Sequence, residues 1–124
     1  MSTHCGIAVK TEKGYETIYC HHDGYPEYMW EMLTENYENF FKASGLVALG
    51  DASSINKRMV PSRDSGHSFD NPEDDVCIFY GRDRGEENVG PNCYNKKTLL
   101  NTYYYAYVFE DDCWKYYRNG RKIY

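Results

Sequence analysis

The sequence predicts an α+β fold, with an antiparallel sheet, one main helix packed on it and a C-terminal aromatic β-meander. Three observations predict it. Two alternating stretches near the N-terminus flank a glycine-containing turn at Thr11-Glu12-Lys13-Gly14. A long run follows in which apolar residues recur at the spacing of one helical face. Near the C-terminus, aromatic residues alternate on both sides of an acidic turn and lead into Asn119-Gly120. Elements of both kinds in one short chain, with helix and strands segregated, indicate a sheet covered on one face. The 124 residues fit a single ligand-binding domain spanning 1–124.

Taken in order, Ile7 and Val9 alternate with Ala8 and Lys10, and Tyr15, Thr17 and Tyr19 alternate with Glu16, Ile18 and Cys20. Gly14 is free to adopt positive φ, so the pair reads as a hairpin. The spacing then predicts a helix over about 26–43. Pro26 suits its first turn, where the amide would be unpaired anyway. Met29, Trp30, Leu33, Tyr37, Phe40 and Phe41 form its inner face, with Gly45 as a left-handed cap. The apolar run 46–50 reads as a buried strand or an extended segment. Residues 51–75 are polar and irregular, a length that in a compact domain is often functional. Val76-Cys77-Ile78-Phe79-Tyr80 reads as a strand. Tyr103, Tyr105, Tyr107 and Phe109 line one face of the next strand, Glu110-Asp111-Asp112 turns the chain, and Trp114 and Tyr116 continue. Asn119-Gly120 favours a type I′ turn, with a short edge strand after it.

Composition narrows the function. Mean hydropathy is −0.80 although 41% of residues are hydrophobic, because 14 are Tyr, whose ring packs while its hydroxyl stays polar. No run approaches the roughly 18 apolar residues of a membrane span, and Met1-Ser2-Thr3-His4-Cys5 does not read as a secretory signal. Fourteen Lys and Arg against 19 Asp and Glu give a net charge of −5, which argues against broad binding to DNA or RNA but not against a small anion held by local arginines. The five cysteines are odd in number and form no C-x-x-C pair, so they read as reduced thiols of a cytosolic protein.

Four groups of residues carry candidate chemistry. Cys20-His21-His22-Asp23-Gly24-Tyr25-Pro26 lies where strand passes to helix. A zinc site would need Cys20 and His22 to be joined by His4, Cys5 or His67. The plainer reading is a turn with Asp23 capping the helix, and ligand contact by His22 or Tyr25 stands between the two. His67-Ser68 resembles half of a phosphoesterase H-x-S/T pair, but no second half exists, so a capped loop plugged by Phe69 is the stronger reading. Arg82 and Arg84 would point the same way on an extended chain and offer guanidinium forks to phosphate. A surface ion-pair cluster with Asp83 and Glu86 is the alternative. The aromatic meander with Arg118 would stack a purine, or fill a core and a subunit interface.

Ile18-Tyr19-Cys20-His21-His22-Asp23-Gly24-Tyr25-Pro26, Leu49-Gly50-Asp51-Ala52-Ser53-Ser54, His67-Ser68-Phe69-Asp70 and Tyr80-Gly81-Arg82-Asp83-Arg84-Gly85-Glu86 occur in that order. Together they resemble the Thoeris anti-defence proteins of the first type, a family of small phage and prophage proteins. The resemblance covers about 70 residues and thins after Glu87. It implies a non-enzymatic sponge that sequesters cyclic ADP-ribose-type signals made by TIR enzymes in the host bacterial cytoplasm. It also implies a homo-oligomer, no cofactor, and for some members a further site for cyclic trinucleotides.

Such a ligand carries a pyrophosphate, two riboses and an adenine. Arg82, Arg84 and Arg118 are the anion candidates, and Tyr25, Tyr94, Tyr107 and Phe109 the stacking candidates. Asp23, Asp51 and Asn92 are the polar candidates, with His22 beside them. Arg118 and the 88–95 segment are placed to close over the ligand. The rival expectations are a hydrolase of the same signal, using His22 or His67, and an inhibitor that docks on a host protein.

Overall fold

The computed structural model describes residues 2–124. Strands β1 (Cys5–Thr11) and β2 (Gly14–Cys20) form the predicted hairpin, paired from Cys5 opposite Cys20 to Thr11 opposite Gly14. The predicted helix is two helices, α1 (Pro26–Asn36) and α2 (Phe40–Ala48). The chain leaves helical geometry at Tyr37 (φ −131°, ψ 49°) and re-enters it after Asn39, whose side chain accepts the Lys42 amide at 2.9 Å. This break turns Phe40 and Phe41 outward, and Phe41 is 86% exposed. Gly45 lies inside α2, and the run 46–50 is the end of that helix, not a strand. Gly50 makes the turn instead, at φ 89° and with its Cα face against the Val89 carbonyl, where a Cβ has no room.

Strand β3 (Ala52–Ser54) follows, then β4 (Ile78–Phe79) and α3 (Tyr80–Arg84). Only two of the five residues predicted as a strand at 76–80 pair as one. Val76 forms an isolated bridge with Arg58, and Tyr80 already begins a helix. The C-terminal part contains β5 (Asn92–Tyr94), α4 (Lys96–Thr102), β6 (Tyr105–Glu110), β7 (Cys113–Arg118) and β8 (Arg121–Lys122). The predicted meander is β6–β7–β8. Asn119 and Gly120 adopt φ 52° and 79°, as a type I′ turn requires, and Asp111 and Asp112 do the same at 55° and 62°.

The architecture is α+β. Its eight-stranded sheet is mostly antiparallel, in the order β4-β3-β2-β1-β6-β7-β8, with β5 also on β2. Two pairs are parallel, β1 with β6 and β2 with β3. The outer edge of β2 is shared, β5 pairing at Tyr15–Thr17 and β3 at Cys20.

Both faces of the sheet are covered. One buries Ile7, Val9, Ile18, Tyr107, Phe109, Trp114 and Tyr116 under α1 and α2, which add Met29, Leu33, Leu46 and Val47. The other buries Ala8, Ala106, Val108 and Tyr117 under Leu99 of α4. The alternation along β1 and β6 sends successive residues to opposite layers. All five cysteines are unpaired thiols, with Cys5, Cys20 and Cys77 buried. No described helix is long and apolar enough to cross a membrane.

Candidate functional site

The chemistry-bearing side chains converge at the end of the hairpin away from its turn. The hairpin register places His4, just before β1, opposite His21, just after β2. Strand alternation puts Tyr19 on the same side as His21. The Tyr19 hydroxyl lies 2.6 Å from His21 Nδ1 and 2.9 Å from His4 Nδ1, and His4 Nδ1 is 2.9 Å from the His21 carbonyl. A carbonyl only accepts, so His4 Nδ1 carries the hydrogen it shares between His21 O and Tyr19 Oη. Tyr19 then gives its own proton to His21 Nδ1. The result is a relay from imidazole through phenol to imidazole, with the His21 and His22 rings 4.6 Å apart beyond it. Burial, followed by the neighbouring His22 and His4, holds His21 below the ordinary histidine value. Burial and the nearby Tyr80 phenol push the Tyr19 hydroxyl up.

Asp51 lies next to this relay. Its carboxylate accepts the Tyr19 amide at 2.9 Å, and burial raises its pKa against that bond's opposing pull. Asp51 also donates its amide to Val89 O at 2.7 Å and accepts the Tyr80 amide at 3.2 Å through its carbonyl. It therefore joins β2, the 88–91 segment and α3. On α3, the Arg84 guanidinium lies 4.3 Å over the Phe69 ring and 4.9 Å over the Tyr80 ring. The side chain is 46% exposed and its charge is met by Glu86.

Arg82 does something different. In helical geometry residues two apart point to nearly opposite sides, so the two arginines do not form the parallel pair expected for an extended chain. Arg82 donates to Met59 O at 2.5 Å, to Cys77 O at 2.9 Å and to both Asp83 oxygens at 2.8 and 3.1 Å. Asp83 in turn accepts the Phe79 amide and faces His67 Nε2 at 3.2 Å. His67 Nδ1 accepts the Glu73 amide at 2.9 Å, so the ring hydrogen sits on Nε2, toward Asp83. The His67 side chain is only 2% exposed. The H-x-S segment is thus a loop anchor: Ser68 Oγ accepts the Asn71 amide, and Phe69 packs on Tyr80.

The remaining predicted residues are dispersed. His22 is exposed at the edge of the relay, its Nδ1 3.1 Å from Ser2 Oγ. Asp23 takes φ 58° in the turn before α1 and does not cap that helix, whose N-cap, Tyr25, receives no side-chain hydrogen bond. Tyr25 is exposed, with Asp23 raising its pKa. Gly24 holds this turn against β1, where an added Cβ would lie 2.7 Å from Cys5 Cβ. Asn92 and Tyr94 are in β5, paired with Thr17 and Tyr15, so the 88–95 segment is tied into the sheet and is not a free flap. Tyr107 is a correction: it is fully buried, its hydroxyl donating to Gly24 O at 2.9 Å, and its ring stacks on Tyr116 and not on a solvent-facing ligand surface. Phe109 is also a core residue, in edge contact with Trp114. Arg118 is exposed at the far side of the sheet, on β7.

A cleft of about 890 Å³ lies at the opposite end of the hairpin, between Lys10, Lys13, Glu16, Phe40, Phe109 and Asp112. It contains no arginine, and its carboxylates outnumber its ammonium groups, so it is poorly suited to a pyrophosphate. Among the described residues no group of three or more His, Cys, Asp or Glu side chains is arranged to hold a metal ion. Sequence reasoning missed His4, Tyr19, His21 and Tyr80 as a unit, although the hairpin turn it identified already implied the register that brings His4 to His21. The chain matches no family model, no curated protein and no solved structure.

Proposed function

We propose that this chain binds a cyclic ADP-ribose-type signal and holds it intact, acting as a phage anti-defence sponge against Thoeris immunity in the cytoplasm of a bacterial host. The observation that carries the reading is the half-exposed Arg84 guanidinium held over Phe69 and Tyr80. An arginine with a preset orientation, whose partner Glu86 is exposed, can exchange that partner for a phosphate. Tyr80, under Arg84, is near enough to Tyr19 to raise its pKa, and the His4–Tyr19–His21 group offers hydrogen bonds for ribose hydroxyls. The exposed rings of Phe41 and Tyr104 favour a homo-oligomer. A second copy would enclose a site that one copy leaves open, as nanomolar binding of about −12 kcal/mol demands. A further site for cyclic trinucleotides belongs to the same proposal.

The Tyr19 relay favours a second reading, a hydrolase of the same signal, because a phenol between two imidazoles is suited to move a proton. One experiment separates the readings. The protein is incubated with purified cyclic ADP-ribose isomers, heated, and the released nucleotide analysed by mass spectrometry. Intact ligand recovered from a calorimetrically detected complex supports the sponge. A linear product supports the hydrolase. No heat of binding with any isomer overturns both, and leaves docking on a host protein.

A further inference from the structure

A second group of aromatic and acidic residues lies on the other layer of the molecule and shares no residue with the Arg84–Tyr19 patch. Helix α1 starts at Pro26, and Glu27 and Glu31 fall one turn apart on its outer side. Between them, Trp30 packs on Tyr124, with ring centroids 5.1 Å apart and planes tilted by 38°. Tyr124 is held there by backbone hydrogen bonds in both directions with Tyr116, each 3.3 Å. Pro26, Glu27, Trp30, Glu31 and Tyr124 enclose a cleft of about 200 Å³.

Three features of this cleft favour an organic cation. Both carboxylates are exposed and lack an ion pair among the described residues, whereas six others, Glu38, Glu73, Asp83, Glu86, Glu110 and Asp111, are engaged by Lys, Arg or His. Two aromatic rings border the same space, and ring faces attract cations electrostatically. Behind Tyr124, at 5.8 Å between ring centroids, lies Tyr116, whose buried hydroxyl has no hydrogen-bond partner among the described residues, in a residue only 1% exposed. Burial pushes that hydroxyl up to about 12, with Glu27 among the groups close enough to contribute. Arg118 is near enough to oppose the shift, yet it makes no ion pair with Glu27 or Glu31.

We infer that Glu27, Glu31, Trp30 and Tyr124 form a binding site for a small organic ammonium ion. The cleft is below the roughly 300–1,000 Å³ of sites for drug-sized ligands, so its occupant is small. A free quaternary amine and the ammonium of a lysine side chain share the required chemistry.

The test uses the full chain and follows the Trp30 indole N–H by NMR, assigned with Trp30→Phe. Four titrants are compared: choline chloride, a blocked lysine amide, the uncharged tert-butyl isostere of choline, and sodium chloride at matched ionic strength. The expected result is a saturable shift with at least one ammonium compound and none with the isostere or the salt. Glu27→Gln and Glu31→Gln, both surface changes on a folded helix, are each expected to weaken binding by about fivefold. Tighter binding of choline assigns the site to a free amine, and tighter binding of the lysine amide assigns it to a side chain of a partner protein. Equal shifts with the uncharged isostere, unchanged affinity in both glutamine variants, or no saturable shift at all would overturn the inference. None of these outcomes bears on nucleotide binding at Arg84.

Discussion

Two arginines two residues apart do unlike work, and the difference lies in what their donors touch. Arg82 gives its hydrogens to two backbone carbonyls and both oxygens of a buried carboxylate, while Arg84 keeps one carboxylate partner and two ring faces. Arg82→Ala would remove the donor from Met59 O and Cys77 O and the guanidinium from the buried Asp83 carboxylate, and is expected to destabilise the fold by about 2–3 kcal/mol. Arg84→Ala removes a surface pair worth about 0–1 kcal/mol, so its unfolding midpoint in urea should barely move. Its effect should appear in calorimetry, as a loss of about 1.5–3 kcal/mol in affinity for the cyclic ADP-ribose isomer that binds. Wild-type affinity in Arg84→Ala would remove this residue from the site. Wild-type stability in Arg82→Ala would show that the knot around Asp83 is not needed to hold the 58–84 region.

At the scale of elements, the caps decide where helices begin. Asn39 and Asn95 each accept an amide three residues on, from Lys42 at 2.9 Å and Thr98 at 2.8 Å. Replacing either by Ala should cost about 1 kcal/mol in urea unfolding, and a double variant about twice that, because the two helices lie on opposite faces of the sheet. These caps also explain what the sequence concealed. Met29 and Leu33 of α1, with Tyr37 just after it, run on into Ala43, Leu46 and Val47 of α2 with nearly unbroken helical spacing, so periodicity alone reads one helix. The cap at Asn39 was the signal that two helices were present. α4 is short, with Leu99 its one fully buried residue, and gave too little periodicity to be detected. The hairpin and the meander were legible because their turns have chemical signatures. The site is legible only in pieces: the sequence points to His22, Asp51 and Arg84 but not to Tyr19 or His21, and it sets Arg84 beside Arg82 on an extended chain, where α3 separates them.

Over the whole molecule, layers and loops are fastened by carboxylates that are easier to ionise folded than unfolded. Glu110 is nearly buried and joins three elements on one face, accepting from Tyr15 of β2 at 2.9 Å and from Lys96 of α4 at 3.1 Å, with Lys115 of β7 at 3.6 Å. Burial alone would raise its pKa, but these partners outweigh burial and hold it below the ordinary value. Asp83 is held low in the same way, burial being overcome by Arg82, the Phe79 amide and His67. Glu73, bonded chiefly by Ser62 and Ser65 and also by Arg58, is drawn from 4.5 down to about 2. A carboxylate with a depressed folded pKa contributes stability above its unfolded pKa and loses it as pH falls through the folded one. For Glu73 that window runs from 4.5 down to about 2. The melting temperature should therefore stay level at neutral pH and fall increasingly below the ordinary carboxylate range. Acid also changes the net charge of −5, which alters repulsion across the entire surface. Thermal melts of wild type and Glu110→Gln, followed by near-UV circular dichroism from about pH 7 to about pH 3, separate the two effects. Surface repulsion changes almost alike in both proteins, whereas the Glu110 contribution exists only in wild type. The variant should start at a lower melting temperature and lose less of it on acidification, so that the two curves converge. Parallel curves would mean that Glu110 is no easier to ionise in the folded protein, and that α4 is held to the sheet by Leu99 and its apolar neighbours alone.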